Sequence, residues 1–262
     1  MNNWFIKIEE KPYSGSWNMA VDEFLFNEVQ KEEKTILRFY EWEIPTLSIG
    51  FSQRVNRILN MEYLEKNRVP FVRRITGGKV VFHNDEITYS ISSSEKIFFE
   101  KKSLSEAYTM ISGALIEGLK KLSIKAELSG RSPKFLSKSD LPCFSFSSKD
   151  EILVNGKKIV GSAQKRKENC LIQHGSIPIS VKREEIANLT YSDKEILEEK
   201  MTTIGEILNR DVDKIELIEA FKRGFEKYFE VKVIDYKEPS YFFELVEKLN
   251  IKYKSKEWNY LF

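Results

Sequence analysis

The chain has 262 residues, 41% of them hydrophobic and 13% aromatic, and 42 Lys and Arg against 40 Asp and Glu leave a formal charge of +2. This composition excludes a chain that is disordered as a whole, and no apolar run is long enough to cross a bilayer. The balanced charge gives no reason to expect nucleic acid as the main partner. A chain of this length buries about 70 to 75% of its unfolded surface, so we expect a full core.

Two cysteines, Cys143 and Cys170, form no Cys-x-x-Cys pattern and are too few for a disulfide framework or a cysteine-rich zinc site. We therefore expect a protein of a reducing, cytoplasmic compartment. The first residues, MNNWFIKIEEK, lack the basic and apolar stretches of a secretory signal, and we expect the chain to start directly with a strand.

Hydrophobic periodicity predicts a helix and three strands in the first third of the chain. Apolar residues recur at three- and four-residue steps over 17–29, which predicts an amphipathic helix with Ser16 as its N-cap. The segments 35–42 and 46–51 are rich in β-branched and aromatic residues, which predicts two strands. Strict alternation over 86–92 predicts the third.

A second helix, a long loop and a hairpin are predicted in the middle of the chain. Ser103 and Glu106 have the spacing of a capping box at the start of an amphipathic helix. Residues 129–149 follow neither period, which predicts a long loop of the kind that is often functional. Asn155-Gly156 between two apolar runs predicts a two-residue β-hairpin.

The last third predicts one more strand and then helices. A charged connection over 165–169 precedes a strand over 171–179, and helical patterns dominate from about residue 182. These patterns are a capping box at Ser192 and Glu195, an apolar stripe of Ile215, Ile218, Phe221 and Phe225, and a short helix over 240–249. The order predicts an α+β fold with a mixed central sheet flanked by helices. We expect residues 1–185 to form the catalytic core and 186–262 a helical segment packed on the same domain.

The segment 73–83 joins two arginines, a Gly-Gly pair and an apolar strand. Glycines let the backbone approach a ligand, and Arg73 and Arg74 are of the type that clamps carboxylate or phosphate. A Gly-Gly turn beside solvated arginines is the commoner structure for such a segment, so it gains weight only together with other residues.

Cys143 and Lys158 are the candidate reacting pair. A thiolate is a strong nucleophile, and a nearby ammonium lowers the pKa of a thiol and stabilises an oxyanion. A single cysteine is more often a small buried apolar residue, although Cys143 lies in the predicted loop. In the predicted hairpin Lys158 stands across from Leu153 and faces inward, whereas Lys157 faces the other way.

Other polar residues carry weaker predictions. Cys170 opens an apolar strand, so we expect a packing residue. His83 and His174 have no third ligand at metal spacing, so no metal is predicted, and His174 either lines a pocket or is a hydrogen-bonded core residue. The basic run 165–167 is either a solvated loop, partly balanced by Glu168, or a surface that steers an acidic protein partner.

Several short motifs occur in the order found in one superfamily, the biotin and lipoate protein ligases with the lipoyl and octanoyl transferases. The resemblance spans almost the whole chain and rests on residues 18–23 (NMAVDE), Trp42 with 45–50 (PTLSIG), 73–78 (RRITGG) with His83, 158–164 (KIVGSAQ), 174–176 (HGS) and 257–259 (EWN). Motifs in a shared order are far more specific than any one of them. The resemblance implies the catalytic-domain fold of the biotin and lipoate protein ligases.

Within this superfamily Pro142-Cys143-Phe144, followed by Lys158 and by 161–164 (GSAQ), most resembles the LipM-type octanoyltransferases, in which that cysteine carries the acyl group. The resemblance implies that Cys143 takes octanoyl from octanoyl-acyl carrier protein as a thioester. A lysine of a lipoyl domain, such as that of glycine cleavage protein H, then accepts it in lipoate biosynthesis. This chemistry implies no cofactor, and a monomer is expected.

In this interpretation Cys143 and Lys158 are catalytic, and Lys158 lowers the pKa of the thiol and stabilises the tetrahedral intermediate. The residues expected to bind the substrate are Arg73, Arg74, Thr76, Gly77, Gly78, His83, Gly161, Ser162, Ala163, Gln164 and His174. The backbone N–H groups near Gly77 and Gly78 are candidates for an oxyanion site. The family pattern has Asp where this chain has Asn84, and often Arg or Gly where it has Lys79, but neither change removes a reacting group.

Three alternatives remain open. An ATP-dependent lipoate-protein ligase would use ATP and Mg²⁺, with Lys158 on the lipoyl-adenylate and Cys143 incidental. An amidotransferase would move octanoyl from protein H to other lipoyl domains by the same thiol chemistry. A non-enzymatic module would bind lipoylated proteins without turnover. The chain is short of the large C-terminal accessory domain of many lipoate ligases, which favours a transferase.

Overall fold

The computed structural model of the chain describes residues 3–100, 102–130 and 151–262. The strands are β1 (Asn3–Ile8), β2 (Thr35–Tyr40), β3 (Thr46–Ile49), β4 (Phe71–Arg73), β5 (Val81–His83), β6 (Glu86–Ser93), β7 (Glu127–Leu128), β8 (Ile152–Val154), β9 (Lys157–Lys167), β10 (Cys170–Pro178) and β11 (Lys232–Asp235). The helices are α1 (Gly15–Glu28), α2 (Val55–Ile58), α3 (Met61–Asn67), α4 (Leu104–Lys121), α5 (Arg183–Thr190), α6 (Lys194–Lys200), α7 (Ile204–Leu208), α8 (Lys214–Phe229), α9 (Phe242–Lys254) and α10 (Lys256–Asn259).

Within the described ranges, eight strands form one mixed sheet in the order β11-β1-β2-β6-β10-β9-β8-β7. β1 pairs in parallel with β11 and β2, and the neighbours from β2 to β7 are antiparallel. β4, β3 and β5 form a small second sheet. The predicted α+β fold with a mixed sheet flanked by helices is confirmed.

Strand alternation sends the side chains of the large sheet into two separate cores. On β2, Leu37 and Phe39 enter the core that α4 and α8 cover, whereas Ile36 and Tyr40 enter the core that α1 and α9 cover. Successive side chains of a strand point to opposite faces, so helices on both sides bury the whole of β2. The small sheet adjoins the start of α1, where Gly15 lies against Thr46 of β3.

The strongest local patterns are present as predicted. Asn155 and Gly156 have φ angles of 51° and 76°, as a two-residue hairpin turn requires, and they join β8 to β9. Ser103 and Glu106 form a capping box at the start of α4, in which each side chain bonds the other residue's backbone. These conformations depend on residues that are close in sequence.

Two predicted helix caps were wrong. The N-cap of α1 is Ser14 and not Ser16, and the Ser14 hydroxyl accepts a hydrogen bond from the Trp17 amide at 3.4 Å. The N-cap of α6 is Asp193 and not Ser192, because the Asp193 carboxylate accepts bonds from two backbone amides of the first turn. Both regions offer more than one capping side chain, and the path of the incoming chain selects between them.

Two details of the later elements were also wrong. The charged segment expected as a connection over 165–169 is mostly strand, since β9 continues through Lys167 and only a turn with Glu168 at φ 52° precedes β10. Ile215, expected on the buried stripe of α8, is 74% exposed, and Leu217 is buried instead.

The C-terminal segment is not all helical, because β11 adds a parallel edge strand beside β1. α8 also packs on α4, and Phe221 and Phe225 join the core beneath the large sheet. The division of the chain at residue 185 stays a prediction. No helix in the described ranges is long and apolar enough to cross a membrane.

Arg38 is a fully buried cation at the centre of the fold. Its guanidinium donates to Glu9 Oε1 at 2.8 Å, to Asp22 Oδ1 at 2.8 Å and to the Asn18 side chain and carbonyl at 3.0 Å. A buried charge is stable only when it is paired and hydrogen-bonded, so these bonds fix α1 against β2. Tyr40 stacks beneath the guanidinium at 4.0 Å.

We expect Arg38→Ala to lower the free energy of unfolding by about 3 to 5 kcal/mol, because it leaves the Asp22 carboxylate buried without its cation. Arg223→Ala removes an exposed, solvent-screened ion pair with Glu219 and should lower the free energy of unfolding far less. Urea denaturation of both variants measures the difference. Equal losses in the two variants would contradict the central role of Arg38.

Candidate active site

A cavity opens between the large sheet, α1 and the small sheet. It is lined by Met19, Tyr40, Trp42, Ser48, Arg74, Val81, His83, Thr88, Gly161, Ser162, Ala163, His174, Gly175 and Ser176. Met19 and Thr88 are among the almost inaccessible lining residues, whereas Ser162 and Ala163 are half-buried and mark the mouth. The structure thus brings together six of the predicted site residues, namely Arg74, His83, Gly161, Ser162, Ala163 and His174.

The Asp22 carboxylate of α1 anchors one wall of this cavity. Oδ1 accepts from Arg38 at 2.8 Å and from the Ser90 hydroxyl at 2.9 Å, and Oδ2 accepts from Tyr40 Oη and from His174 Nδ1 at 2.9 Å each. Burial by itself would raise the pKa of this carboxyl, but the hydrogen bond from His174 and the charge of Arg38 outweigh it. The pKa of Asp22 is therefore lowered, and the carboxylate stays ionised.

The second nitrogen of His174 continues this chain of hydrogen bonds. Nε2 lies 2.6 Å from the Thr76 hydroxyl, which in turn accepts from Arg74 Nε at 3.1 Å. An ionised carboxylate only accepts, so Nδ1 of His174 carries the proton, and Nε2 accepts from Thr76. Burial lowers the pKa of His174 more than Asp22 raises it, which keeps the imidazole neutral.

His83 has the same kind of arrangement on the opposite wall. Nδ1 lies 2.7 Å from Glu86 Oε1 and Nε2 lies 2.7 Å from the Ser48 hydroxyl, while Trp42 stacks on the ring at 3.9 Å. Thr88 also donates to Glu86. Burial by itself would raise the pKa of Glu86, but the neighbouring His83 and the hydrogen bonds outweigh it, so the pKa is lowered. This carboxylate therefore also stays ionised.

Arg74 joins the two histidine chains. Its guanidinium donates to Thr76 Oγ1 and to Ser48 Oγ, both at 3.1 Å, and also to the backbone carbonyls of residues 48, 77 and 79. Arg74, which the sequence suggested as a residue that clamps an anion, therefore uses its N–H donors within the protein. The structure uses it to fix the loop over 76–79 at the cavity wall.

Arg73 is fully buried but does not line the cavity. Its guanidinium donates to five backbone carbonyls, those of Gly50, Phe51, Gln53, Trp258 and Asn259. It therefore ties α10 to the chain that follows β3. A direct role of Arg73 in substrate binding stays a prediction that these contacts do not support.

Gly77 and Gly78 form the loop beside the mouth. Gly78 has a φ of 82°, and an added Cβ would lie 3.0 Å from Arg74 Nη2 and 3.3 Å from the Ala163 side chain. Both the backbone conformation and the contact with β9 therefore require glycine at this position. The role of these N–H groups as an oxyanion site stays a prediction.

On the other face of β9 a separate polar chain supports the mouth. Ser162 Oγ lies 2.7 Å from Tyr89 Oη, which accepts from Gln173 at 2.8 Å, and Gln164 donates to Gln173 at 3.0 Å. Burial raises the pKa of Tyr89 to about 12, so its hydroxyl stays protonated. Gln164 thus acts on the cavity through Ser162 and is not part of its lining.

Lys158 faces inward as the hairpin register predicted, opposite Leu153 and only 2% exposed. It does not line the cavity, and its ammonium donates to Glu151 Oε1 at 2.6 Å. Glu151 is itself buried, and no local sequence pattern predicted this partner. A buried ion pair is nearly neutral at a distance, so Glu151 limits the effect of Lys158 on groups beyond it.

The two cysteines differ in what the structure says of them. Cys143 lies outside the described residues, so its predicted role stays a prediction. Cys170 begins β10 with 7% exposure, its Sγ is 3.9 Å from the Val29 carbonyl, and burial raises the pKa of its thiol. Cys170 is a packing residue, as expected. Among the described residues no cluster of three His, Cys, Asp or Glu side chains could hold a metal ion.

The structure also shows residues of the site that the sequence analysis did not predict to bind substrate or react. These are Met19, Asp22, Tyr40, Ser48, Glu86, Thr88, Tyr89, Glu151 and Ser176. Met19, Asp22, Ser48 and Ser176 stand within the quoted family motifs, and Glu86 follows His83 by three residues. Neither Asp22 nor Glu86 has a local pattern that distinguishes a buried carboxylate from an exposed one.

A family model described as the lipoyl protein ligase A/B catalytic domain matches residues 14–226. The chain belongs to this family. It is 37% identical to the octanoyltransferase LipM of Bacillus anthracis, with 94% of each chain covered. It is 34% identical to that of Clostridioides difficile, with 99% of each covered, and 33% identical to that of Bacillus subtilis, with 97% of this chain and 96% of the other covered.

Solved structures of lipoate ligases have the same fold. Lipoate-protein ligase A bound with ATP matches with a TM-score of 0.83 at 21% identity over 99% of each chain. The bipartite lipoate protein ligase of Thermoplasma acidophilum matches with a TM-score of 0.83 at 19% identity over 99% of this chain and 97% of the other. The lipoyl protein ligase fold implied by the motifs is therefore confirmed.

We expect His174 to stay neutral below its ordinary pKa of 6.5, with its proton on Nδ1. In the unfolded chain this imidazole takes up a proton near pH 6.5, whereas in the folded protein it does so only at lower pH. The contribution of His174 to the free energy of unfolding is therefore present above pH 6.5 and is lost as the pH falls through the pKa of the folded state. NMR titration of the two histidines measures this, and His83→Gln identifies the signals. A midpoint at or above 6.5, or a proton on Nε2, would contradict the assigned network.

Proposed function

We propose that this protein is an octanoyltransferase of lipoate biosynthesis that moves octanoyl from octanoyl-acyl carrier protein to a lysine of a lipoyl domain. Its relatives with this activity in their names are 33 to 37% identical and are covered almost end to end. The cavity and the family motifs that line it support an acyl substrate. A reducing, cytoplasmic setting and a monomeric state are part of the proposal.

The observation that carries the proposal is the chemistry of the cavity wall. Every polar side chain of the lining has a hydrogen-bond partner inside the wall, as in the chains through His83 and His174 and in the pair of Ser162 with Tyr89. A polar ligand would have to displace these bonds, whereas an alkyl chain needs none of them. Each buried methylene contributes about 0.8 kcal/mol, so eight carbons bind usefully.

In the first step the Cys143 thiolate attacks the carbonyl carbon of the donor thioester. The tetrahedral intermediate collapses with cleavage of the donor C–S bond, which leaves octanoyl on Cys143 and releases the thiolate of the carrier. In the second step the neutral ε-amine of the acceptor lysine attacks the enzyme thioester. The C–N bond forms, Cys143 leaves as a thiolate, and the amine proton passes to the released thiolate or to solvent.

The reaction proposed needs no cofactor, because thiol exchange conserves the activation of the thioester. Formation of an amide from a free acid would first require adenylation by ATP. Lys158 is proposed to stabilise the negative charge that develops on the carbonyl oxygen, with Glu151 holding its ammonium in place. The two histidines are proposed to hold the walls, because both nitrogens of each ring are already hydrogen-bonded.

The decisive test is the intact mass of the protein after incubation with octanoyl-acyl carrier protein without ATP. We expect one octanoyl adduct on the wild type, none on Cys143→Ala and one on Cys170→Ala, which controls for loss of any thiol. Later addition of protein H should move the octanoyl group onto it.

Other outcomes of this test would identify a different activity. No adduct, together with ATP-dependent modification of protein H by free octanoate or lipoate, would support the ligase. An adduct formed from octanoylated protein H and not from the carrier would support the amidotransferase. A stable complex with a lipoyl domain and no acyl product would support the binding module.

Met19, an almost inaccessible apolar residue of the lining, is proposed to set the length of the acyl chain. Met19→Ala deepens the cavity and Met19→Trp fills it, so we expect opposite shifts in preference toward decanoyl and hexanoyl. Two methylenes correspond to about a 15-fold change in relative kcat/KM. Turnover of hexanoyl, octanoyl and decanoyl thioesters measures the shifts, and Met110→Ala on α4 serves as the control.

Since a folding defect lowers the rates with all three substrates alike, opposite shifts would show that the end of the acyl chain lies against Met19. An unchanged order of preference in both Met19 variants would show that the acyl chain does not reach this end of the cavity.

A further inference from the structure

A row of lysines follows the cavity mouth along β9. In the register with β10, Ala163 pairs with His174, Lys165 with Ile172 and Lys167 with Cys170. Residues two apart on a strand share a face, so Lys165 and Lys167 continue the face on which Ala163 lines the mouth. The basic run noted in the sequence is therefore part of the sheet and adjoins the cavity.

These lysines leave positive charge that the described residues do not neutralise. Neither Lys165 nor Lys167 forms an ion pair with a carboxylate in the described ranges. The nearby carboxylate of Glu23 is already paired with another lysine, because Lys252 Nζ lies 2.7 Å from Glu23 Oε2. The charge of Lys252 also acts on Lys165. Burial and the neighbouring lysines lower the pKa of Lys165, and the opposite effect of Glu23 does not outweigh them. Glu168 lies beyond the row, in the turn to β10.

Two exposed aromatic rings lie beside this row. Phe51 is 36% exposed and Phe262 is 52% exposed, and their rings meet edge to face at 5.7 Å. Lys165 Nζ lies 5.9 Å from the centre of the Phe51 ring. The Phe51 amide donates to the Thr76 carbonyl at 2.8 Å, which places this ring next to the loop at the mouth.

We propose that Phe51, Lys165, Lys167 and Phe262, the mouth patch, dock the acidic carrier domain of the acyl donor. This rests on the proposed function. The acyl chain enters the cavity while it is still attached to its carrier, so the carrier must lie within reach of the mouth. Exposed aromatic rings among cations are typical of protein interfaces, and the uncompensated charge selects an acidic partner.

The donor is a better occupant of the mouth patch than the acceptor domain for a geometric reason. The donor binds with the acyl chain that enters the cavity already attached to it, whereas the acceptor binds without an acyl chain. The acceptor lysine reacts with a chain that has already passed to the enzyme. Its docking position therefore depends on the thioester and not on the cavity mouth.

The test compares two donors with the same octanoyl group, octanoyl-acyl carrier protein and the small thioester octanoyl-N-acetylcysteamine. In Lys165→Glu/Lys167→Glu the ratio of kcat/KM for the carrier donor to that for the small donor should fall about tenfold or more. The salt dependence of kcat/KM with the carrier should weaken as well. Lys232→Glu/Lys237→Glu makes the same change of charge at the β11 edge and should leave the ratio unchanged.

Two results would overturn the mouth patch as the donor site. The ratio could fall equally in the control, or it could stay constant in Lys165→Glu/Lys167→Glu. A constant ratio together with a higher KM for protein H would assign the patch to the acceptor. If the wild type transfers octanoyl from neither donor, the proposed function has failed separately. Anisotropy binding of labelled carrier to the Cys143→Ala protein, with and without the charge reversals, then tests the patch without turnover.

Discussion

Asp22 accepts hydrogen bonds from side chains on three strands of the large sheet, Arg38 and Tyr40 on β2, Ser90 on β6 and His174 on β10. A carboxylate without solvent access is stable only with such partners, so these bonds hold α1 in place on the sheet. The same contact fixes the orientation of the His174 ring. Through Thr76 and Arg74 it extends to the loop at the cavity mouth, and so one buried charge determines the geometry of a whole wall.

The two histidine chains explain how a wall of polar residues encloses a space suited to an alkyl chain. His174 and His83 each use one ring nitrogen on a carboxylate and the other on a hydroxyl, and Arg74 joins both hydroxyls. Since these groups satisfy one another, they give the cavity a rigid shape and offer little to a polar ligand. In the proposed reaction the histidines hold the site, and the reacting groups are Cys143 and Lys158.

The proposed reaction divides three tasks among different parts of the fold. In this proposal the cavity accommodates the acyl chain, the buried pair of Lys158 and Glu151 supplies a positioned cation, and the mouth patch receives the carrier. The pairing with Glu151 changes the expectation for Lys158. A lysine beside a carboxylate stabilises negative charge that develops close to its ammonium. It lowers the pKa of a more distant thiol less, because the ion pair is nearly neutral at that distance.

The sequence by itself determined the elements whose conformation depends on near neighbours, such as the Asn155-Gly156 hairpin and the Ser103 capping box, and its ordered motifs determined the family. Only the tertiary structure decided what the polar residues do. The alternation of β6 predicts a polar face but does not say that α1 and the small sheet bury Thr88 and Ser90 against carboxylates. Arg73 looked like an anion clamp, yet it bonds a carbonyl 186 residues away. A buried polar group is defined by its partner, and such partners come from distant parts of the chain that no local pattern connects.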